Sequence, residues 1–218
     1  MNVRRPRSRS YTIIGNAEDV RLDEPALSDV LDGVVEPGTV LATVKCHWYR
    51  RRAIVFDQGD VADSVFVIRS GSVLISRISS EGRELSVDFV GQRRVFGEDA
   101  FFQEARYVTT ATCTTDACIY SIDGAALRAA ATACPKLAVN IARVVQRRFD
   151  TVSSLLEAIA FNTVADRILR IFDRFAERSG DGSGECLSLD LTHGDIATMV
   201  GSTRESVSAA IGSLVRHG

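Results

Sequence analysis

The residues able to do chemistry in this 218-residue chain are few and scattered. Three histidines stand at 47, 193 and 217, and neither a nucleophile elbow nor a phosphate-binding loop is present. No catalytic constellation can be assembled from them, so the chain reads as something other than an enzyme. The five cysteines are an odd number with no CxxC pair. That argues against a disulfide framework or a zinc site and for a reducing, cytoplasmic setting. Cys113 and Cys118 flank a Thr-Thr-Asp-Ala turn, where they read as structural cysteines on a half-buried strand, with a thiol switch as the alternative. The group best placed for recognition is Arg204. It lies near the start of a segment whose outer face, at helical spacing, is Thr203, Arg204, Ser208 and Ala209. That face is small and polar with one guanidinium, which suits a major groove, where arginine can donate two hydrogen bonds to guanine. The alternative is a plain pair of packed helices with Arg204 as a solvated charge and Glu205 serving only a cap.

The elements that would position Arg204 can be read from the run LTHGDIATMVGSTRESVSAAIGSLVRHG. Thr192 and Asp195 resemble a capping box with a shortened acid, and Ile196, Ala197 and Val200 give the helix they open a buried face. Gly201 makes a sharp turn. Ser202 and Glu205 form a second box, opening a helix whose inner face is Val207, Ile211, Leu214 and Val215. Two short helices joined by a glycine turn make a helix-turn-helix.

Upstream, PKLAVNIARVVQRRFDTVSSLLEAIAF (135–161) has no interruption after Pro135, which suits a first helical turn. Ile141, Val145, Phe149, Val152, Leu156 and Ile159 recur at steps of four and three, and Leu137, Val144 and Leu155 form a second row. Such a helix would be roughly 40 Å long. One face can pack on its own domain, and the cheapest cover for the other is the same helix of a second copy. Asn162 then reads as the N-cap of a helix whose buried side is Val164, Ile168, Ile171, Phe172 and Phe175. A loop, SGDGSG, and a short strand, CLSLDL, follow.

From about Gly38 to Ile122, short β-rich runs alternate with turn residues, which predicts a closed all-β unit, a small barrel or jelly roll. Ser70-Gly71 and Glu81-Gly82 both read as tight hairpin turns. Asp123 caps a short alanine-rich helix that leads to Pro135. Residues 1–36 carry little pattern: a basic tail, MNVRRPRSRS, and weak helical spacing from Ala17 to Val34. Net charge is −2, so nucleic-acid binding would have to come from a local patch. No apolar run approaches the length of a membrane span.

In this order, all-β unit, long helix and helix-turn-helix, the chain resembles bacterial transcription regulators of the Crp/Fnr family. The residues that carry the resemblance are KCHWY with FDQGD after it, VFVIRSGSVLIS, EGRELSVDFVG, FGEDAFF, RRF followed by AIAF, and VGSTRESVS. It covers nearly the whole chain after residue 37. The resemblance implies an α+β fold with four parts: an N-terminal tail with short helices (1–36), a jelly-roll-like β-roll sensor of cyclic-nucleotide-binding type (37–134), a dimerisation helix (135–161) and a winged-helix-type helix-turn-helix (162–218). The family continues into a β-hairpin wing after the recognition helix. This chain stops at Gly218, so the domain is expected to lack its wing and to bind DNA weakly until one is restored.

The resemblance also implies site residues. Gly97-Glu98 matches the family's Gly-Glu pair, in which the glutamate takes a ribose hydroxyl. The family's Arg-Ser or Arg-Thr pair for the cyclic phosphate falls in Tyr107–Ala111. There Thr110 fits the hydroxyl, and the arginine position is Thr109, or Val108 if the loop is aligned without a gap. Arg106 is near enough in sequence to substitute. On the long helix, Val152-Ser153 stands where cAMP-responsive members have Thr-Ser. Two of the four expected contacts are missing, so cAMP is not the expected effector; a buried phosphate deprived of a charge-assisted bond loses about 1.5–3 kcal/mol. No cysteine precedes Cys46, which argues against an Fe–S cluster, and Cys46-His47 reads as packed strand rather than haem ligands. Phe101-Phe102 reads as core packing. The implied partners are DNA, read as two half-sites through Ser202, Thr203, Arg204, Glu205, Ser208 and Ala209, a second copy of the chain, and RNA polymerase. The competing reading is a cyclic-nucleotide-type regulatory module without DNA-binding activity.

Overall fold

The computed structural model describes residues 11–15, 38–178 and 191–217. The basic tail, the helical spacing at 17–34, the 179–184 loop and the CLSLDL run up to 190 lie outside the described residues. Among the described residues, nine strands form the β-roll. They are β1 (Tyr11–Gly15), β2 (Lys45–Tyr49), β3 (Ile54–Phe56), β4 (Ser64–Ser70), β5 (Val73–Ile78), β6 (Glu84–Val90), β7 (Val95–Phe96), β8 (Thr110–Cys113) and β9 (Ala117–Asp123). They make two antiparallel sheets, ordered β1-β2-β9-β4-β7 and β3-β8-β5-β6. β1 lies in the region read as patternless; it pairs with β2, Tyr11 opposite Tyr49.

The two turn signals have different outcomes. Glu81-Gly82 joins β5 to its neighbour β6 as a hairpin. Ser70-Gly71 is not a hairpin: β4 pairs with β7 and β9, whereas β5 pairs with β6 and β8, so this turn carries the chain from one sheet to the other. Gly71 is required there. Its φ is +89°, and a Cβ would lie 2.4 Å from the Asp116 carbonyl oxygen.

Helix α1 (Gly38–Leu41) precedes β2, and α2 (Gly124–Ala133) follows β9. Asp123 caps α2 as expected, its Oδ1 accepting from the Ala126 N–H at 2.7 Å. Helix α3 runs Pro135–Phe161 with proline in its first turn. Its apolar residues divide differently from the expected rows. Ile141 joins Leu137 and Val144 in the β-roll core, while Val145, Phe149, Val152, Leu156 and Ile159 remain exposed, Phe149 at 70% and Leu156 at 67%. The inner row is therefore satisfied within one chain and the outer row is not.

Helices α4 (Val164–Arg178), α5 (His193–Val200) and α6 (Arg204–His217) form a second, smaller core around Ile168, Ile196, Ala197, Val200 and Val207. Val164, Ile171, Ile211 and Leu214 pack on it as expected. Phe172 and Val215 do not; both are exposed. The N-cap of α4 is Thr163, one residue after the expected Asn162, which instead ends α3. Thr163 wins because Asp166, three residues on, accepts from its N–H and hydroxyl in return, which holds that carboxyl below the usual range. The same box at Thr192 and Asp195 opens α5, as expected.

Candidate functional site

The helix-turn-helix is built by its caps. Gly201 closes α5 in the left-handed region, φ +61°, and the N–H groups of Gly201 and Ser202 both return to the Ala197 carbonyl. Ser202 is thus engaged in ending α5 and does not cap α6. Thr203 does, its Oγ1 accepting from the Ser206 N–H at 3.2 Å. This shift places Arg204 and Glu205 in the first turn of α6. Thr203, Arg204, Glu205 and Ala209 are exposed. Ser208 is half-buried: its hydroxyl donates to the Arg204 carbonyl and lies 2.8 Å from His193 Nδ1 on α5, which ties the two helices together.

The turn itself touches the rest of the molecule. A Cβ on Gly201 would come within 3.1 Å of Leu85 Cδ1 on β6 and 3.3 Å of Ile159 Cδ1 on α3. The DNA-binding unit thus docks on the β-roll through α5 against β6, with α3 alongside.

At the expected effector site, Gly97 has φ +73° and opens a short 3₁₀ helix, Glu98–Phe101. Glu98 is positioned but not free. Its Oε1 accepts from Arg148 Nε on α3 at 2.9 Å, and Arg148 Nη1 also bonds Asp88 Oδ2 on β6. All three side chains are largely buried. Burial works against the Arg148 charge, but Glu98 and Asp88 outweigh it and the guanidinium holds its proton more tightly than usual. Asp99 adds a third carboxyl, pushed above its usual range by burial and by Glu98. A small cavity of about 30 Å³ lies beside Asp88 and Arg148, between β6, β7 and α3.

The expected phosphate segment is likewise committed to the protein. Thr110 is buried and its Oγ1 accepts from the Gln58 N–H at 3.0 Å. Thr109 is half-buried and Val108 exposed. Arg106 is exposed and donates to the Gly59 carbonyl at 2.8 Å. Between them Tyr107 enters the core, stacked on Phe56 at 3.8 Å with its hydroxyl donating to the Ser64 carbonyl. Val152 and Ser153 lie exposed on α3. Phe101 packs against the core, while Phe102 is exposed, against expectation.

Sequence reasoning missed Arg148 and Asp88. The signal for Arg148 was present: it continues the buried row Leu137, Ile141, Val144 at step four, where a charge demands a partner. Cys46, Cys113 and Cys118 are buried with free thiols. Cys118 Sγ lies 2.9 Å from Cys46 Sγ, across the β2–β9 ladder. Burial pushes the Cys46 thiol up to about 12, with Cys118 adding to it. Cys113 is likewise pushed to about 12 by burial. His47 Nε2 bonds Ser121 Oγ at 2.8 Å within the sheet.

Comparison with known proteins agrees with this architecture. Residues 46–133 match the cyclic nucleotide-binding domain, and residues 164–218 match the Crp-like helix-turn-helix domain. The second match disfavours a regulatory module without DNA binding. The chain is 31% identical over 189 residues to the CRP-like cAMP-activated global transcriptional regulator of Mycobacterium tuberculosis, covering 84% of each. It is 24% identical over 183 residues to the global nitrogen regulator of Synechococcus elongatus, covering 82% of each. In fold it is similar to the c-di-GMP responsive global regulator CLP of Xanthomonas campestris, with a TM-score of 0.71 at 23% identity, covering 82% of this chain and 91% of that one. With both domains matched in order, and a relative above 30% identity along most of both chains, this chain belongs to the Crp/Fnr family of DNA-binding transcription regulators, which are not enzymes.

Proposed function

We propose that the protein is a cytoplasmic homodimer that reads two DNA half-sites under the control of an effector other than cAMP, with RNA polymerase as the partner that converts binding into transcription. The observation that carries this reading is the packing of the Gly201 turn between Leu85 of β6 and Ile159 of α3. Any ligand that shifts β6 against α3 also shifts the helix-turn-helix, so sensing and DNA reading share one joint. The exposed row on α3, Val145 to Ile159, supports the dimer, because a second copy would bury it around a two-fold axis.

In DNA reading, Arg204 and Glu205 address a G·C pair, and Ala209, four residues beyond Glu205, offers an apolar contact to a thymine methyl. In sensing, Gly97, Glu98, Thr109, Thr110, Val152 and Ser153 mark where a cyclic nucleotide would contact such a roll. The Arg148 pairing speaks against cAMP there. A ribose hydroxyl would have to compete with Arg148 for Glu98, and the phosphate segment offers no arginine at 108 or 109. The test is a binding selection on random duplexes with the wild-type protein and Arg204→Ala. The substitution should relax preference at one base pair by about 1–3 kcal/mol. Identical enriched motifs from the two proteins would show that Arg204 reads no base.

A further inference from the structure

A second cavity, of about 420 Å³, lies between β6, α3, α4 and α5, where the DNA-binding unit docks on the roll. That is the size of a small-molecule site. Its walls are largely apolar, with Phe89 from β6, Leu155 from α3, Ile171 from α4 and Met199 from α5 among them. Two polar atoms on the same walls, Arg167 Nε and Ser86 Oγ, are buried and have no hydrogen-bond partner among the described residues. Ser76, directly across the ladder from Ser86, has a buried hydroxyl in the same condition. Buried polar atoms almost always find a hydrogen-bond partner, so two without one on a single cavity point to a missing acceptor.

The chemistry of these atoms selects a ligand class. Guanidinium N–H groups only donate, and a serine hydroxyl can donate as well, so together they suit an acceptor group. Charge agrees: Arg167 and Arg170 both line the cavity, and of its two carboxylates Asp88 is already held by Arg148. We propose that this cavity binds a small amphipathic anion, an apolar body bearing one carboxylate or phosphate head, with the head on Arg167 and Ser86 and the body against Leu155, Ile171 and Met199. Such a ligand touches the roll, the long helix and α4 and α5 of the DNA-binding unit at once, and so holds them in the docked arrangement. This site adjoins the Glu98–Arg148 cluster at Asp88 but is centred on Arg167 and Ser86. Binding there does not depend on whether the reading of the roll or of DNA given above is right.

The test is calorimetric titration of the full chain with decanoate, decyl phosphate and decanol. Both anions should bind once per chain, about tenfold or more tighter than the neutral alcohol. Arg167→Gln should weaken the anions about tenfold or more, and Met199→Trp, which fills the cavity, should abolish binding. Whichever anion binds tighter identifies the head group. Ser86→Ala, a smaller and well-tolerated change, supplies a second route and should weaken binding severalfold even if the tryptophan variant does not fold. Equal binding of decanol, anion affinities unchanged by Arg167→Gln and Ser86→Ala, or absence of binding by both anions would overturn the proposal.

Discussion

Two cavities beside α3 contain arginines in opposite circumstances. At the upper one, Arg148 is held by Glu98 and Asp88 beside a small cavity of about 30 Å³. At the lower one, Arg167 keeps a buried Nε without a partner among the described residues, beside about 420 Å³. The family resemblance points to the first and says nothing of the second. A ligand gains most where protein donors are unsatisfied and space is open, and least where the protein has already matched its own charges. The residue matching the family's ribose-binding glutamate is present in this chain, but one of its oxygens is already bonded to Arg148.

The largest effect should come from unmaking that internal match. Arg148→Ala leaves Glu98 and Asp88 buried without their cation and should cost about 3–5 kcal/mol, read as a lowered denaturation midpoint. Adding Glu98→Gln and Asp88→Asn should restore most of the loss. If Arg148→Ala alone is neutral, the cluster is not what closes the upper cavity.

Next is the outer face of α3. Phe149→Glu should convert the dimer to a monomer by sedimentation at micromolar concentration without changing the monomer's helical signal, because Phe149 is exposed within one chain. A wild-type monomer under those conditions would remove the two-copy assembly from the account.

A smaller effect is expected from restoring the missing cation. Thr109→Arg should tighten cyclic AMP binding by about 1.5–3 kcal/mol if the absent phosphate partner limits affinity. No gain would mean that the missing arginine is not what limits cyclic AMP affinity.

The smallest effect is a pH slope. Burial lowers the His47 pKa from 6.5, with Lys45 adding to it. The unfolded chain therefore takes up the proton first. The stability this contributes is present above pH 6.5 and is lost as pH falls through the folded value. His47→Gln should flatten that part of a stability–pH curve, and an unchanged slope would assign it to other groups.

How much of this could be read from the sequence depends on the range of the interaction. Periodicity gave α3 its full span, because an amphipathic helix is a local pattern. The caps at Asn162 and Ser202 were each one residue early, since adjacent cap-competent residues compete and the winner is set by the reciprocal bond three residues on. Ser70-Gly71 was read as a hairpin because a turn signal reports a reversal of the chain and not which sheet receives the next strand. The Gly97–Glu98 pair was visible, but its partner Arg148 lies 50 residues away. That distance is why Glu98 looked available for a ligand. Ser86 and Arg167 carry no local signal; their significance exists only once β6 and α4 enclose the same space.

The central claim is that the β-roll of this regulator is not a cyclic AMP receptor. Calorimetric titration of cyclic AMP into the wild-type protein tests it most directly. The account predicts no saturable binding, or a dissociation constant far weaker than micromolar. A value of about a micromolar or tighter, lost on Glu98→Ala, would contradict it and show that Arg148 yields Glu98 to the nucleotide.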